Sequence, residues 1–270
     1  MITSLSQETL RRIQNSLQAA AEVFQGFTPG KIEAEYKAGH DPVTEADRQI
    51  DARLRRELLR DQEGWLSEET VDDRIRLEKR RVWVVDPLDG TREFVAGIPE
   101  FCTSVAMVED GRAVAGGIYN PATKETFLGS LGSGVTYNGK PAQLSQRDRL
   151  QGAVVLASRS EVRRGEWQRF EGADFEIRAV GSVAYKLALV SAGLADATFT
   201  LVPKHEWDVA AGVALVETNG GFVTTLDQGP LRCNQRDPLL KGLIACSPRM
   251  AAELLSRLGL TQPPLNLDRS

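Results

Sequence analysis

Val82-Trp83-Val84-Val85 runs without a break into Asp86-Pro87-Leu88-Asp89-Gly90-Thr91, and no other stretch of the chain so restricts how it can fold. The first four residues are apolar, mostly β-branched and flanked by polar sequence, the pattern of a buried strand. Pro87 has no amide hydrogen to give a ladder, so it predicts the end of that strand. Two carboxylates three residues apart are thereby delivered to the mouth of a buried strand. On a turn that Pro87 keeps from being helical, Asp86 and Asp89 can converge with the Leu88 carbonyl between them, an all-oxygen nest for a hard divalent cation. Gly90 lets the backbone come close, and the N–H groups of Gly90 and Thr91 offer an anion site ahead of a short helical stretch holding Arg92, Glu93 and Phe94. A D-x-x-D met alone is more often an acidic turn capping a helix; its company in the sequence decides.

Around this junction the periodicity changes twice. Leu10, Ile13, Leu17, Ala20, Ala21 and Phe24 fall at helical spacing and Thr28-Pro29-Gly30 stops them; a second helix starts after Thr44, turns Ile50, Leu54, Leu58 and Leu59 inward to about Arg60, and carries Asp47 in its first turn. Thr103 to Val108, Ala113 to Tyr119 and Glu125 to Leu128 read as antiparallel strands, with a turn at Asn138-Gly139. Beyond about residue 150 strand and helix alternate: Ala153 to Ala157, a helix over Glu161 to Phe170, Phe175 to Val180, a helix over Ser182 to Ala192, and so on through Pro248 to Leu258. The expectation is one catalytic unit, residues 1–270, of two tightly joined halves: α+β to about 150, α/β from about 151.

Composition excludes more than it assigns. With 41% hydrophobic residues among 270 a substantial core is available, and the net charge of -4 is spread as 33 basic and 37 acidic residues. No basic face is offered to a nucleic-acid polymer or a membrane. Cys102, Cys233 and Cys246 are odd in number and widely spaced, which suits a reducing cytoplasm, and the opening Met1 to Glu8 lacks the basic start and apolar run of a signal peptide. Haloacid dehalogenase-type chemistry needs a nucleophilic Asp where Pro87 stands, and the two histidines, His40 and His205, form no H-E-x-x-H. Water activated by carboxylate-bound metal is left as the better use of these acids.

Further acids lie upstream in Leu66-Ser67-Glu68-Glu69-Thr70 and downstream in Glu206-Trp207-Asp208-Val209. Singly, each is equally well accounted for by helix capping or by a solvated surface. Together with Asp41-Pro42-Val43-Thr44-Glu45-Ala46-Asp47, their order resembles the inositol monophosphatase superfamily of lithium-sensitive phosphatases over nearly the whole chain. Asp86 to Phe94, Ser67-Glu68-Glu69 and Glu206-Trp207-Asp208 look most like its 3'(2'),5'-bisphosphate nucleotidases; Ile98-Pro99-Glu100-Phe101 is closer to the inositol branch. Ser67 stands where inositol phosphatases commonly have glycine, and Ala96 where a polar or basic residue is usual.

The resemblance implies a layered α-β-α-β-α sandwich and an enzyme with two or three Mg2+ ions. Glu68, Asp86, the Leu88 carbonyl, Asp89 and Asp208 would hold metal; Asp47, Glu68 and Thr91 would act on the attacking water; Gly90, Thr91, Gly181, Ser182, Lys186 and Asp208 would meet the substrate. It further implies a cytoplasmic homodimer acting on a small phosphate monoester, 3'-phosphoadenosine 5'-phosphate foremost, inositol 1-phosphate or a related sugar or alcohol phosphate as the alternative. A regulatory phosphate binder on the same scaffold is the reading from another class.

Overall fold

A computed structural model describes residues 4–36, 42–229 and 231–260; His40 and Asp41 lie outside these. The chain opens with α1 (Ser4–Phe24), a short pair β1 (Glu35–Tyr36) and β2 (Pro42–Val43), and α2 (Glu45–Leu58). Seven strands follow: β3 (Glu63–Ser67), β4 (Arg81–Asp89), β5 (Cys102–Glu109), β6 (Arg112–Asn120), β7 (Glu125–Ser130), β8 (Gly134–Tyr137) and β9 (Lys140–Ala142), with α3 (Thr91–Ala96) between β4 and β5. They form one sheet in sequence order, parallel only between β3 and β4. The second half alternates β10 (Val154–Ser158), α4 (Arg159–Arg163), β11 (Glu176–Val180), α5 (Val183–Ser191) and β12 (Ala197–Thr200), then β13 (Lys204–His205), α6 (Glu206–Thr218), β14 (Phe222–Thr224), β15 (Leu239–Leu240), β16 (Leu243–Cys246) and α7 (Pro248–Arg257). Its main sheet has the order β11-β10-β12-β16-β14.

The period of two along β4 shows how the layers stack. Trp83 and Val85 pack on one face with Ile13, Leu17, Ile50 and Leu54 of α1 and α2. Val82 and Val84 pack on the other with Leu187 of α5 and Val209, Val213 of α6. That same cluster takes in Leu156 and Ala245 from the second sheet, so α5 and α6 lie between the two sheets, and α7 covers the far side with Met250 and Leu254, in one cluster with Trp167 from the segment after α4. The sequence of layers is α-β-α-β-α, as the resemblance implied. Among the described residues no helix is long and apolar enough to cross a membrane.

Two local expectations need correction. Strand β4 does not stop at Pro87 but continues to Asp89. The missing amide is accommodated by a bulge: Asp86 is level with Ser104 and Asp89 with Cys102, three steps against two, while the Pro87 carbonyl accepts the Thr103 hydroxyl at 2.8 Å. The helix expected over Glu161 to Phe170 is the single turn and a half of α4, then a separate 3-10 turn at Gln168–Phe170. Gly165, at φ +79, breaks it; Trp167 then stacks on Phe199 at 4.3 Å and donates to the buried Glu161 carboxylate at 3.1 Å.

Candidate active site

Parallel pairing places the first two acids side by side. Ser67 of β3 is level with Val85 of β4, and the Glu68 amide donates to the Val85 carbonyl at 3.4 Å, so Glu68 emerges next to Asp86. Its loop is tied to α2: Ser67 and Thr70 donate hydroxyls to the two oxygens of Asp51, at 2.5 and 2.7 Å. Asp208 arrives from the next layer in the first turn of α6, its carboxylate accepting the His205 amide at 2.9 Å. Ligand atoms of Glu68, Asp86 and Asp208 all lie within 4.8 Å of one another.

Such proximity is costly without a counter-ion. Burial above all, then Glu68, Asp89, Asp208 and Asp47, pushes the Asp86 carboxyl well above the usual carboxylate range. Asp208 is raised the same way, by burial and then by Asp89 and Glu68. Asp86 Oδ1 accepts the Leu88 amide at 3.0 Å, but Oδ2 is enclosed with no hydrogen-bond partner. A buried acceptor left unpaired costs about 1–3 kcal/mol, and both penalties vanish if a cation lies among the three acids. A donor set made wholly of oxygen suits magnesium.

Asp89 lies beside this trio rather than within it. Its Oδ2 accepts the Ser182 hydroxyl and the Ala184 amide, each at 2.7 Å, and so caps α5 from the opposite half of the molecule. Ser182 is itself held at φ +52, an uncommon conformation for a residue with a side chain; its hydroxyl also accepts the Tyr185 amide at 3.0 Å. Lys186 is buried beneath the turn, its Nζ donating to the Ser182 carbonyl at 2.9 Å and the Val180 carbonyl at 3.3 Å. Burial lowers its pKa to about 8 against the pull of Asp89. Gly181 gives its amide to Glu100 at 2.7 Å, and a Cβ there would meet Glu93 Cγ at 2.4 Å.

Across the site, Asp47 sits at the third position of α2 in a reciprocal cap with Thr44, whose amide and hydroxyl reach its Oδ2 at 2.7 and 2.6 Å. Thr91 Oγ1 lies 3.1 Å from Asp47 Oδ1 and 2.9 Å from the Leu88 carbonyl, one hydroxyl hydrogen between two acceptors. Burial raises the Asp47 pKa against these hydrogen bonds. Gly90, at φ +94, opens α3, and a Cβ on it would strike the Glu100 carbonyl at 2.9 Å. Of the residues singled out in the sequence, Glu68, Leu88, Asp89, Gly90, Thr91, Gly181, Ser182, Lys186 and Asp208 line one cavity of about 480 Å³, with Asp47 and Asp86 not on its wall.

Lys204 and the stacked pair His205 and Trp207, 4.4 Å between ring centres, also line the cavity and were not picked out as site residues in the sequence. Their signal was adjacency to Asp208. The reciprocal Thr44–Asp47 cap was legible as T-x-x-D; the clamp of Ser67 and Thr70 on Asp51 had no signal, because its partners are far apart in the chain.

Comparison with known proteins bears on the family and the fold. Residues 6–259 match the profile of the inositol monophosphatase family. An inositol-1-monophosphatase of Rhizobium meliloti (strain 1021) is 33% identical over 233 residues, 83% of this chain and 85% of that protein. An IMPase structure from Thermotoga maritima superposes with a TM-score of 0.78 at 29% identity, covering 91% of this chain and 94% of its own. CysQ from Bacteroides thetaiotaomicron, described as a bacterial member of the same family, gives a TM-score of 0.75 at 26% identity over 89% of this chain and 97% of its own. The chain belongs to the inositol monophosphatase family, and is accordingly a magnesium-dependent phosphatase acting on small phosphate monoesters.

Proposed function

We propose that Glu68, Asp86 and Asp208, with the Leu88 carbonyl and Asp89 at their edge, hold two or three magnesium ions. The observation that carries this is the enclosed, unpartnered Asp86 Oδ2 among three carboxylates within 4.8 Å. Bound magnesium supplies neutralisation of the phosphate oxygens and a lowered pKa for the attacking water. The chain's own residues do the rest. Asp47, with Oδ2 already committed to Thr44, can take the Thr91 hydrogen on Oδ1. That leaves the Thr91 oxygen free to accept from a water in the cavity and pass its proton toward Asp47. Glu68, at the cavity wall, is the second carboxylate facing that water. Gly90, Thr91, Gly181 and Ser182 form the rim against which the phosphate and the group bearing it would rest.

The substrate we infer is 3'-phosphoadenosine 5'-phosphate. Support comes from Glu93 and Lys186 on the cavity wall, in the sequence pattern that resembles the bisphosphate nucleotidases. The second reading, inositol 1-phosphate, is favoured by the relative named inositol-1-monophosphatase at 33% identity. A cytoplasmic homodimer whose two halves act as one catalytic unit belongs to the same proposal; α5 and α6 packed against both sheets support the unit. Phosphate release from the adenosine bisphosphate and from inositol 1-phosphate, measured side by side with magnesium, tests it. A higher kcat/KM for the nucleotide is expected, and a preference for inositol 1-phosphate reverses the choice.

A further inference from the structure

Side chains along β3 alternate between two layers: Trp65 packs with α1 and α2, Leu66 with α5 and α6. Continued one step further, the alternation turns Ser67 toward α2 and Glu68 toward α6, where Asp208 stands. Ladder pairing with β4 ends at Ser67 and Val85, and beyond it the Glu68 amide makes only the long 3.4 Å bond to the Val85 carbonyl. A slip of one residue here would carry the Glu68 carboxylate to the wrong face of the sheet. The side chain that holds the turn is Asp51. It lies on α2 one turn beyond Asp47 and is 9% exposed. Among the described residues its oxygens accept only the Ser67 hydroxyl, at 2.5 Å, and the Thr70 hydroxyl, at 2.7 Å, and no Lys or Arg pairs with it. The Ser67 oxygen in turn accepts the Glu69 amide at 3.3 Å and the Thr70 oxygen the Trp65 indole N–H at 3.4 Å. Residues 65 to 70 are thus wound around one carboxylate, on a helix that fully buried Ile50 and Leu54 fix to the sheet.

We infer that Asp51 is a positioning residue for the metal site: through the hydroxyls of Ser67 and Thr70 it aims Glu68 at Asp86 and Asp208. The inference rests on the reading of those three acids as metal ligands. A carboxylate buried against two hydroxyls and no cation is a costly way to tie down a loop, and aspartate is a poor residue for a helix interior, so stability alone gives no reason for it. What the arrangement does supply is direction. Both neighbours of Glu68 in the chain are held by the clamp, Ser67 by its hydroxyl and Glu69 by its amide, while the Glu68 carboxylate is left on the opposite side for the cation. Groups that orient a ligand in this way govern metal affinity nearly as strongly as the ligand itself. Helix α2 then mounts two carboxylates of the site, Asp47 directly through its contact with Thr91 and Glu68 through Asp51.

The test is calorimetric titration of magnesium into the full chain as wild type, Asp51→Asn, Thr70→Val and Thr70→Ser, with the Tm of each in chelator as the measure of structural cost. The Kd for magnesium should rise about tenfold in Asp51→Asn, which keeps one acceptor oxygen of two, and in Thr70→Val, which keeps the shape of the side chain and removes its hydroxyl. Thr70→Ser restores the hydroxyl and should bind magnesium as the wild type does. If Asp51→Asn does not fold, the two Thr70 variants carry the comparison. A lowered metal-free Tm with unchanged Kd in Asp51→Asn and Thr70→Val makes the clamp purely structural and overturns the inference. So does a Kd that rises as far in Thr70→Ser as in Thr70→Val, because the hydroxyl is then not what matters. A wild type that binds no magnesium overturns the metal reading itself, and the positioning role falls with it.

Discussion

Replacing Asp86 by asparagine should make the metal-free protein more stable while destroying its activity. The carboxylate is buried, one oxygen has no partner, and Glu68 and Asp208 lie within 4.8 Å. At that distance and an effective dielectric of about 20, each like-charge pair costs about 3.5 kcal/mol, so two neighbours together cost about 7. The protein has a cheaper escape: taking up a proton at pH 7 on a group whose unfolded pKa is about 3.9 costs about 4 kcal/mol. The smaller cost sets the ceiling, and the neutral amide of the variant removes it. The amide oxygen can still accept the Leu88 N–H, and the amide NH2 places donors toward the two remaining acids. We expect Asp86→Asn to gain about 2–4 kcal/mol without metal, a rise in Tm of about 5–10 °C for a chain of this length. Differential scanning calorimetry in chelator checks it, with a second scan in magnesium, where the wild type should gain stability and the variant should not. A metal-free variant less stable than the wild type would refute the reasoning, because the three acids would then not be repelling one another.

The remaining expectations follow from the same geometry. Asp86 and Asp208 have folded-state pKa values raised above their unfolded ones, so the folded state binds more protons than the unfolded between the two values. Metal-free stability contributed by these groups therefore rises as pH falls through the raised pKa values toward the ordinary aspartate range, and the rise should be smaller in Asp86→Asn when both are melted across pH 4.5 to 8. Thr91→Ala should lower kcat by about 10²–10⁴ with little change in Tm, whereas Thr91→Ser, which keeps the hydroxyl shared between Asp47 and Leu88, should recover most of it. Asp89→Asn should abolish turnover yet cost only about 1 kcal/mol in Tm measurements, since the amide oxygen retains part of the cap on α5. Millimolar lithium should inhibit magnesium-dependent phosphate release, and a dose series without effect would contradict the family expectation.

How far the sequence announced all this depended on distance along the chain. The Val82 to Thr91 junction was readable because strand, proline, acids and glycine are contiguous, and the structure keeps them together as β4 and the start of α3. The change from an α+β half to an alternating α/β half was readable because the helical and strand periods change along the chain, whereas the α-β-α-β-α layering came only from the family resemblance. Pro87 misled: proline usually ends a ladder, but here a bulge and the Thr103 hydroxyl carry the strand past it. Asp89 was visible as an acid, whereas its second task, capping α5 through Ser182 and Ala184, joins residues more than ninety apart and has no local pattern. Lys186 was visible as a cation in an apolar helix; that its ammonium supports the carbonyls of Val180 and Ser182 depends on a turn bent by the positive φ of Ser182.

Anomalous diffraction from crystals soaked in manganese, in place of magnesium, tests the central claim most directly. A peak bounded by the carboxylates of Glu68, Asp86 and Asp208, within about 2.0–2.3 Å of their oxygens, is what this arrangement predicts. Active protein whose only manganese lies elsewhere, with those three acids bound to no ion, would contradict it.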